Sequence, residues 1–212
     1  VVSVGYRLAP EHKFPAAVDD GITATAWVQD HATDFGGDAR RLALVGESAG
    51  ATLVATTSVW LRDQGRAQPS LQALIYGGLD AATDGPSWDR LGEGYFLTRA
   101  KCQWFMDQYL RSPQDVQDPR ASPARTPDLS RLPPALVINA GLDPLIDGSL
   151  QYVERLRAAG HDARALPFRG VGERASELAA RGALGEHVRQ VHRNYHIPIS
   201  NTASGLMLFE NL

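Results

Sequence analysis

Cysteine is almost missing from this chain: Cys102 stands alone in 212 residues. That excludes an internal disulfide framework and suits a reducing compartment. No strand–turn–helix pattern surrounds Cys102, so it reads as a small buried hydrophobe rather than a catalytic thiol. Long apolar runs are missing too. No stretch reaches 18 apolar residues and no signal-peptide pattern is present, which predicts no membrane span and a soluble, cytoplasmic protein. Charge of one sign is also scarce. A formal net charge of -3 gives no electrostatic reason to expect nucleic acid or anionic membrane as a partner. There is no internal repeat, and no linker long enough to divide domains.

What is present is an ordinary soluble composition, 43% hydrophobic and 21% charged, on a chain long enough to bury a sizeable core. Short apolar runs at 1–5, 42–45, 71–76, 135–140 and 163–168 read as strands. Between them, Ala16 to about His31, Ala49 to Leu61, Lys101 to Leu110 and Leu145 to Ala159 read as helices, the last closed by Gly160. Residues 77–98 carry glycine and little periodicity and read as a loop over the strand ends. The stretch 112–134 is proline-rich and reads as extended loop. Such alternation predicts an α/β fold, a mostly parallel sheet with helices on both faces. The chain opens on the apolar run Val1-Val2-Ser3-Val4 without an initiator methionine, as expected of a piece of a longer protein.

The chemistry is carried by Gly46-Glu47-Ser48-Ala49-Gly50, which follows Leu42-Ala43-Leu44-Val45 and opens a helix. Strand, G-x-S-x-G and helix in that order form a nucleophile elbow; the alternative is a glycine-rich βα turn of a nucleotide-binding unit. Side chains at 46 and 50 would collide in so sharp a turn, and the strain lifts the Ser48 hydroxyl clear of the sheet. The Ala49 N–H then stands at a helix N-terminus, able to donate to an oxyanion. A serine needs a base and an acid to orient it. Asp143, just after the strand 135–140, is the candidate acid, at the sheet edge where open parallel sheets place their sites. It doubles as a helix start before Pro144. Asp147 reads as a first-turn charge on that helix.

Four segments together resemble the hormone-sensitive-lipase-like esterases, the family IV carboxylesterases of the α/β-hydrolase-3 group. They are Tyr6-Arg7-Leu8-Ala9-Pro10-Glu11-His12, the 46–50 elbow, Asp118-Pro119-Arg120-Ala121-Ser122-Pro123, and Leu132 to Leu145 with Gly141-Leu142-Asp143-Pro144. The resemblance covers about residues 1–170. It implies Ser48 as nucleophile, Asp143 as triad acid, a short-acyl ester as the small-molecule substrate and no cofactor. It also implies that His12 belongs to a structural loop, and it leaves room for a homodimer, since family members often pair through their last strand.

The chain departs from that pattern twice. The His-Gly-Gly-Gly loop that completes the family's oxyanion hole has no counterpart here. The slot of the family's histidine, in Phe168-Arg169-Gly170-Val171-Gly172-Glu173, holds Glu173. Among the other histidines, His31 ends a helix and His161 follows a helix stop. No catalytic histidine is identified, and His187 is a weak candidate for the base. His187 and His192 are five apart, off one helical face, which speaks against a metal pair. From about Gly172 the resemblance stops. The expected organisation is therefore a partial α/β-hydrolase core, 1–172, and a divergent tail, 173–212, partly helical and then irregular. Two functions follow: an ester hydrolase of low activity in this chain, or a hydrolase fold turned small-molecule binder.

Overall fold

Every apolar run named above becomes a strand. In the computed structural model, which describes residues 1–168 and 206–209, β1 is Val2–Val4, β2 Ala43–Glu47, β3 Leu71–Ile75, β4 Ala135–Ala140, β5 Ala163–Phe168 and β6 Leu206–Phe209. The helices are α1 (Ala16–His31), α2 (Ala49–Asp63), α3 (Pro86–Leu91), α4 (Arg99–Tyr109) and α5 (Ile146–Ala158). The strands form one sheet in the order β1-β6-β2-β3-β4-β5. From β2 to β5 the neighbours are parallel, which requires a long crossover after each strand. β6 runs antiparallel to both β1 and β2.

Strands buried in a parallel sheet read as continuous apolar runs because both of their faces are covered. One face carries Leu44, Leu74 and Val137, which pack against Val54 and Ala55 of α2 and Tyr152 and Leu156 of α5. All three are fully buried, so truncating one to alanine is expected to remove about 2–5 kcal/mol of stability. The other face carries Val45, Ala73, Ile75, Ile138 and Ala140. A third cluster, with Phe14, Val18, Leu53 and Leu110, joins α1 and α4 to the outer side of α2. α2 is thus enclosed all round, as its run of buried residues from Gly50 to Ser58 records.

The structure corrects three readings. Residues 77–98 are not loop throughout, because Pro86–Leu91 forms α3. Six residues are too few to show a helical period. The helix is held from outside: Ser87 N–H donates to Asp147 Oδ2 at 2.7 Å and Ser87 Oγ to the Pro144 carbonyl at 2.6 Å, with Trp88 buried beneath. The extended stretch after Ser112 contains two 3₁₀ turns, Pro113–Gln117 and Pro123–Arg125. Within the tail read as irregular, Leu206–Phe209 is a strand of the core sheet.

Candidate active site

The elbow is built from backbone constraints. Ser48 sits at φ 52° and ψ -118°, a conformation that side chains resist and that persists only where its surroundings enforce it. A Cβ on Gly46 would lie 2.2 Å from the Gly50 carbonyl oxygen, so this position takes no side chain. The Ser48 N–H donates to the Ile75 carbonyl at 2.9 Å, and the Ser48 carbonyl accepts from Ala51 N–H at 3.0 Å. Ser48 is half-buried and Ala49 exposed. Ala49 is the first residue of α2, where helix geometry leaves N–H groups unpaired and the dipole favours negative charge.

β4 delivers Asp143. The strand ends at Ala140, and the Gly141 N–H donates to the Phe168 carbonyl at 2.7 Å, fixing the exit of the loop against β5. Asp143 is 8% exposed, and its Oδ1 accepts from Leu145 N–H at 2.9 Å. Burial pushes its carboxyl up to about 6, partly offset by that amide. β2 and β4 are parallel with β3 between them, so Ser48 and Asp143 both follow strand C-termini at one edge of the sheet. Asp143 does not cap its helix as the sequence suggested: α5 begins at Ile146 with Leu145 as the N-cap residue and no side-chain cap, and the Asp143 carboxylate closes the turn just ahead of it. Asp147 is a first-turn acid of α5 and, beyond that reading, the acceptor that holds α3.

Sequence reasoning missed the pair Glu47 and Tyr76. The Tyr76 hydroxyl donates to Glu47 Oε1 beside the elbow. The signal was the parallel register: Glu47 stands opposite Ile75, so Tyr76 is one residue beyond it.

The histidines fall apart as a set. His31 stacks on Trp27 at 4.6 Å between ring centroids, with Nδ1 on the Trp27 carbonyl at 2.9 Å. His161 Nε2 contacts the Leu129 carbonyl at 2.8 Å, and His12 is exposed in the proline loop. Glu173, His187, His192 and His196 lie outside the described residues. Cys102 is buried as expected, its thiol pushed up to about 12 by burial and then by the charge of Asp143. A cavity of about 300 Å³ lies beside the Asp143 loop, between Asp80, Asp84, Trp88, Leu145 and Asp147. Among the described residues no group of three or more His, Cys, Asp or Glu side chains is arranged to hold a metal, and no helix is long and apolar enough to cross a membrane.

Comparison with known proteins gives the same picture. The model of the alpha/beta hydrolase fold family matches residues 1–173. The carboxylic ester hydrolase LipN of Mycobacterium tuberculosis is 45% identical over 166 residues, 76% of this chain and 44% of that protein. An ethyl acetate hydrolase of Pseudomonas putida is 42% identical over 161 residues, 76% of this chain and 51% of its own. This chain therefore spans about half the length of these relatives. A hyperthermophilic esterase from Pyrobaculum calidifontis superposes with a TM-score of 0.77 at 40% identity, covering 82% of this chain and 63% of the other. With its elbow and its parallel sheet, the chain belongs to the alpha/beta hydrolase fold family, in the hormone-sensitive-lipase-like group.

Proposed function

We propose that the protein is a serine carboxylesterase for short-acyl esters that works through an acyl-serine intermediate, and that this chain alone turns over slowly. The observation that carries the reading is the strained elbow, with Ser48 held at positive φ, a kind of strain that clusters at active sites. The Ser48 hydroxyl adds to the ester carbonyl as the base takes its proton, later returned to the leaving alcohol, and the resulting oxyanion faces the Ala49 N–H at the head of α2. Collapse expels the alcohol, and water then hydrolyses the acyl-serine. Asp143, buried at the same sheet edge, is the acid that would orient the base. Glu173 in the histidine slot leaves His187 as the candidate base and argues for weak turnover. The related ester hydrolases support a small ester as the partner, and the single cysteine supports a cytoplasmic setting.

The test is p-nitrophenyl acetate mixed rapidly with the 212-residue chain. We expect a burst of about one p-nitrophenolate per chain, absent in Ser48→Ala, followed by steady turnover below about 1 s⁻¹. Absence of a burst from the unaltered chain, with the ester still bound, sinks the esterase reading in favour of a small-molecule binder.

A further inference from the structure

Three ties run from the elbow to Ile75, Tyr76 and Gly78 at the exit of β3. Ahead of Ser48, the Glu47 carboxylate accepts from the Tyr76 hydroxyl. At Ser48 itself, the N–H donates to the Ile75 carbonyl at 2.9 Å. Behind it, in the first turn of α2, the Thr52 hydroxyl donates to the Gly78 carbonyl at 2.9 Å. Between these last two, Gly77 approaches α2 so closely that a Cβ there would lie 2.6 Å from the Ala51 Cβ.

Tyr76 also stands out by its backbone. At φ 36° it joins Ser48 and Arg131 as the non-glycine residues with positive φ among those described, and an aromatic side chain there is strained. Two strained residues thus sit on neighbouring strands, linked through the Ile75 carbonyl. The Tyr76 N–H still continues the β3–β4 ladder, donating to the Ile138 carbonyl at 2.7 Å, while its hydroxyl reaches back to the residue before Ser48. Tyr76 is 9% exposed, and its hydrogen bond to Glu47 is partly buried.

We propose that Tyr76 is a positioning residue for Ser48: its hydrogen bond to Glu47, with the Thr52–Gly78 tie, splints the elbow and fixes where the Ser48 hydroxyl and the Ala49 N–H point. Neither Tyr76 nor Glu47 touches substrate in this scheme. A displacement of about 1 Å at a reacting group costs about 10²-fold in rate, so a hydroxyl acting only through geometry has measurable leverage. The inference rests on reading Ser48 as the nucleophile, and its test separates the two ideas.

The experiment uses the full chain with Tyr76→Phe, Glu47→Ala, Glu47→Gln and the double variant Tyr76→Phe/Glu47→Ala. Amide hydrogen exchange is followed over 46–52 and over 135–140 as a distant reference. Phosphonylation of Ser48 by a p-nitrophenyl phosphonate is followed by intact mass, with Ser48→Ala as control. Tyr76→Phe and Glu47→Ala are each expected to lose protection over 46–52 with 135–140 unchanged. Each should slow phosphonylation at saturating probe by about tenfold to 10²-fold without moving the half-saturating concentration. The double variant should be no worse than either single one, and Glu47→Gln, whose amide oxygen still accepts, should recover the rate lost in Glu47→Ala. Native protection and rate in Tyr76→Phe overturn the splint, as do losses that multiply in the double variant. Where Tyr76→Phe also loses protection at 135–140, Glu47→Ala decides by the same criteria. An unaltered chain that takes up no more phosphonate than Ser48→Ala overturns the nucleophile reading, while exchange over 46–52 still decides the splint.

Discussion

Asp143 and Leu145 share one hydrogen bond, carboxylate Oδ1 to amide N–H at 2.9 Å, and that bond makes the candidate triad acid part of the turn just ahead of α5. The carboxyl is nonetheless buried, and burial raises it to about 6 from an ordinary 3.8. A group raised in the folded state contributes stability that is full below its unfolded value and lost as pH rises through the folded one. The contribution of Asp143 therefore falls between about pH 4 and about pH 6. Asp143→Asn keeps an acceptor for Leu145 and removes the charge. Thermal melts should show the variant more stable than the parent near pH 8, by on the order of 2 kcal/mol, and little different near pH 4.

The same carboxyl reports on its surroundings in solution. An imidazolium placed against it would favour its charged form and pull it down, away from the value burial alone produces. Titration of the Asp143 carboxyl carbon by NMR should give a midpoint near 6, because burial raises it and no cation pairs with it among the described residues. A midpoint below about 4 would mean that a histidine reaches it, and would revive His187 as a full base.

Gly46→Ala tests the elbow sterically. Its Cβ would meet the Gly50 carbonyl oxygen at 2.2 Å, a contact relieved only by moving the backbone on both sides of Ser48. We expect a loss of about 1–3 kcal/mol or more in a denaturant melt, and loss of Ser48 phosphonylation even in the fraction that stays folded.

Cys102 should be inert. Buried, with its thiol near 12, it carries almost no thiolate at neutral pH. Iodoacetamide should leave the native chain unlabelled and label it once per chain in denaturant, read by intact mass. Rapid native labelling would show that α4 does not seat Cys102 as described.

Asp147→Ala should loosen α3 selectively. It removes the acceptor of the Ser87 N–H at 2.7 Å, the bond that caps this short helix from across the fold. A cap of this kind contributes about 1 kcal/mol. Exchange over 86–91 should accelerate while 135–140 keeps its protection.

Elements whose signal is local were legible in the sequence. β4 at Ala135–Ala140, β5 at Ala163–Phe168 and α1 at Ala16–His31 occupy the residues expected, because continuous apolar runs and a 3.6-residue period come directly from burial. Ser48 was legible for the same reason: its turn is made by glycines within two residues of it. α3 was not, because a cap supplied by Asp147, 60 residues away, leaves no local pattern. Nor was the Tyr76–Glu47 contact, which exists only once β2 and β3 have taken their register. β6 escaped notice as four apolar residues among polar ones, with its direction set entirely by its neighbours.

That last strand has a consequence for the order of assembly. Among the described residues the neighbour of β1 is β6, with Val2 opposite Leu208. During synthesis on the ribosome the β2–β5 ladder can zip as each crossover emerges, whereas Val2–Val4 must wait for residues some two hundred positions later. Contacts of that separation form slowly, so the β1–β6 pairing is expected to form after the β2–β5 ladder.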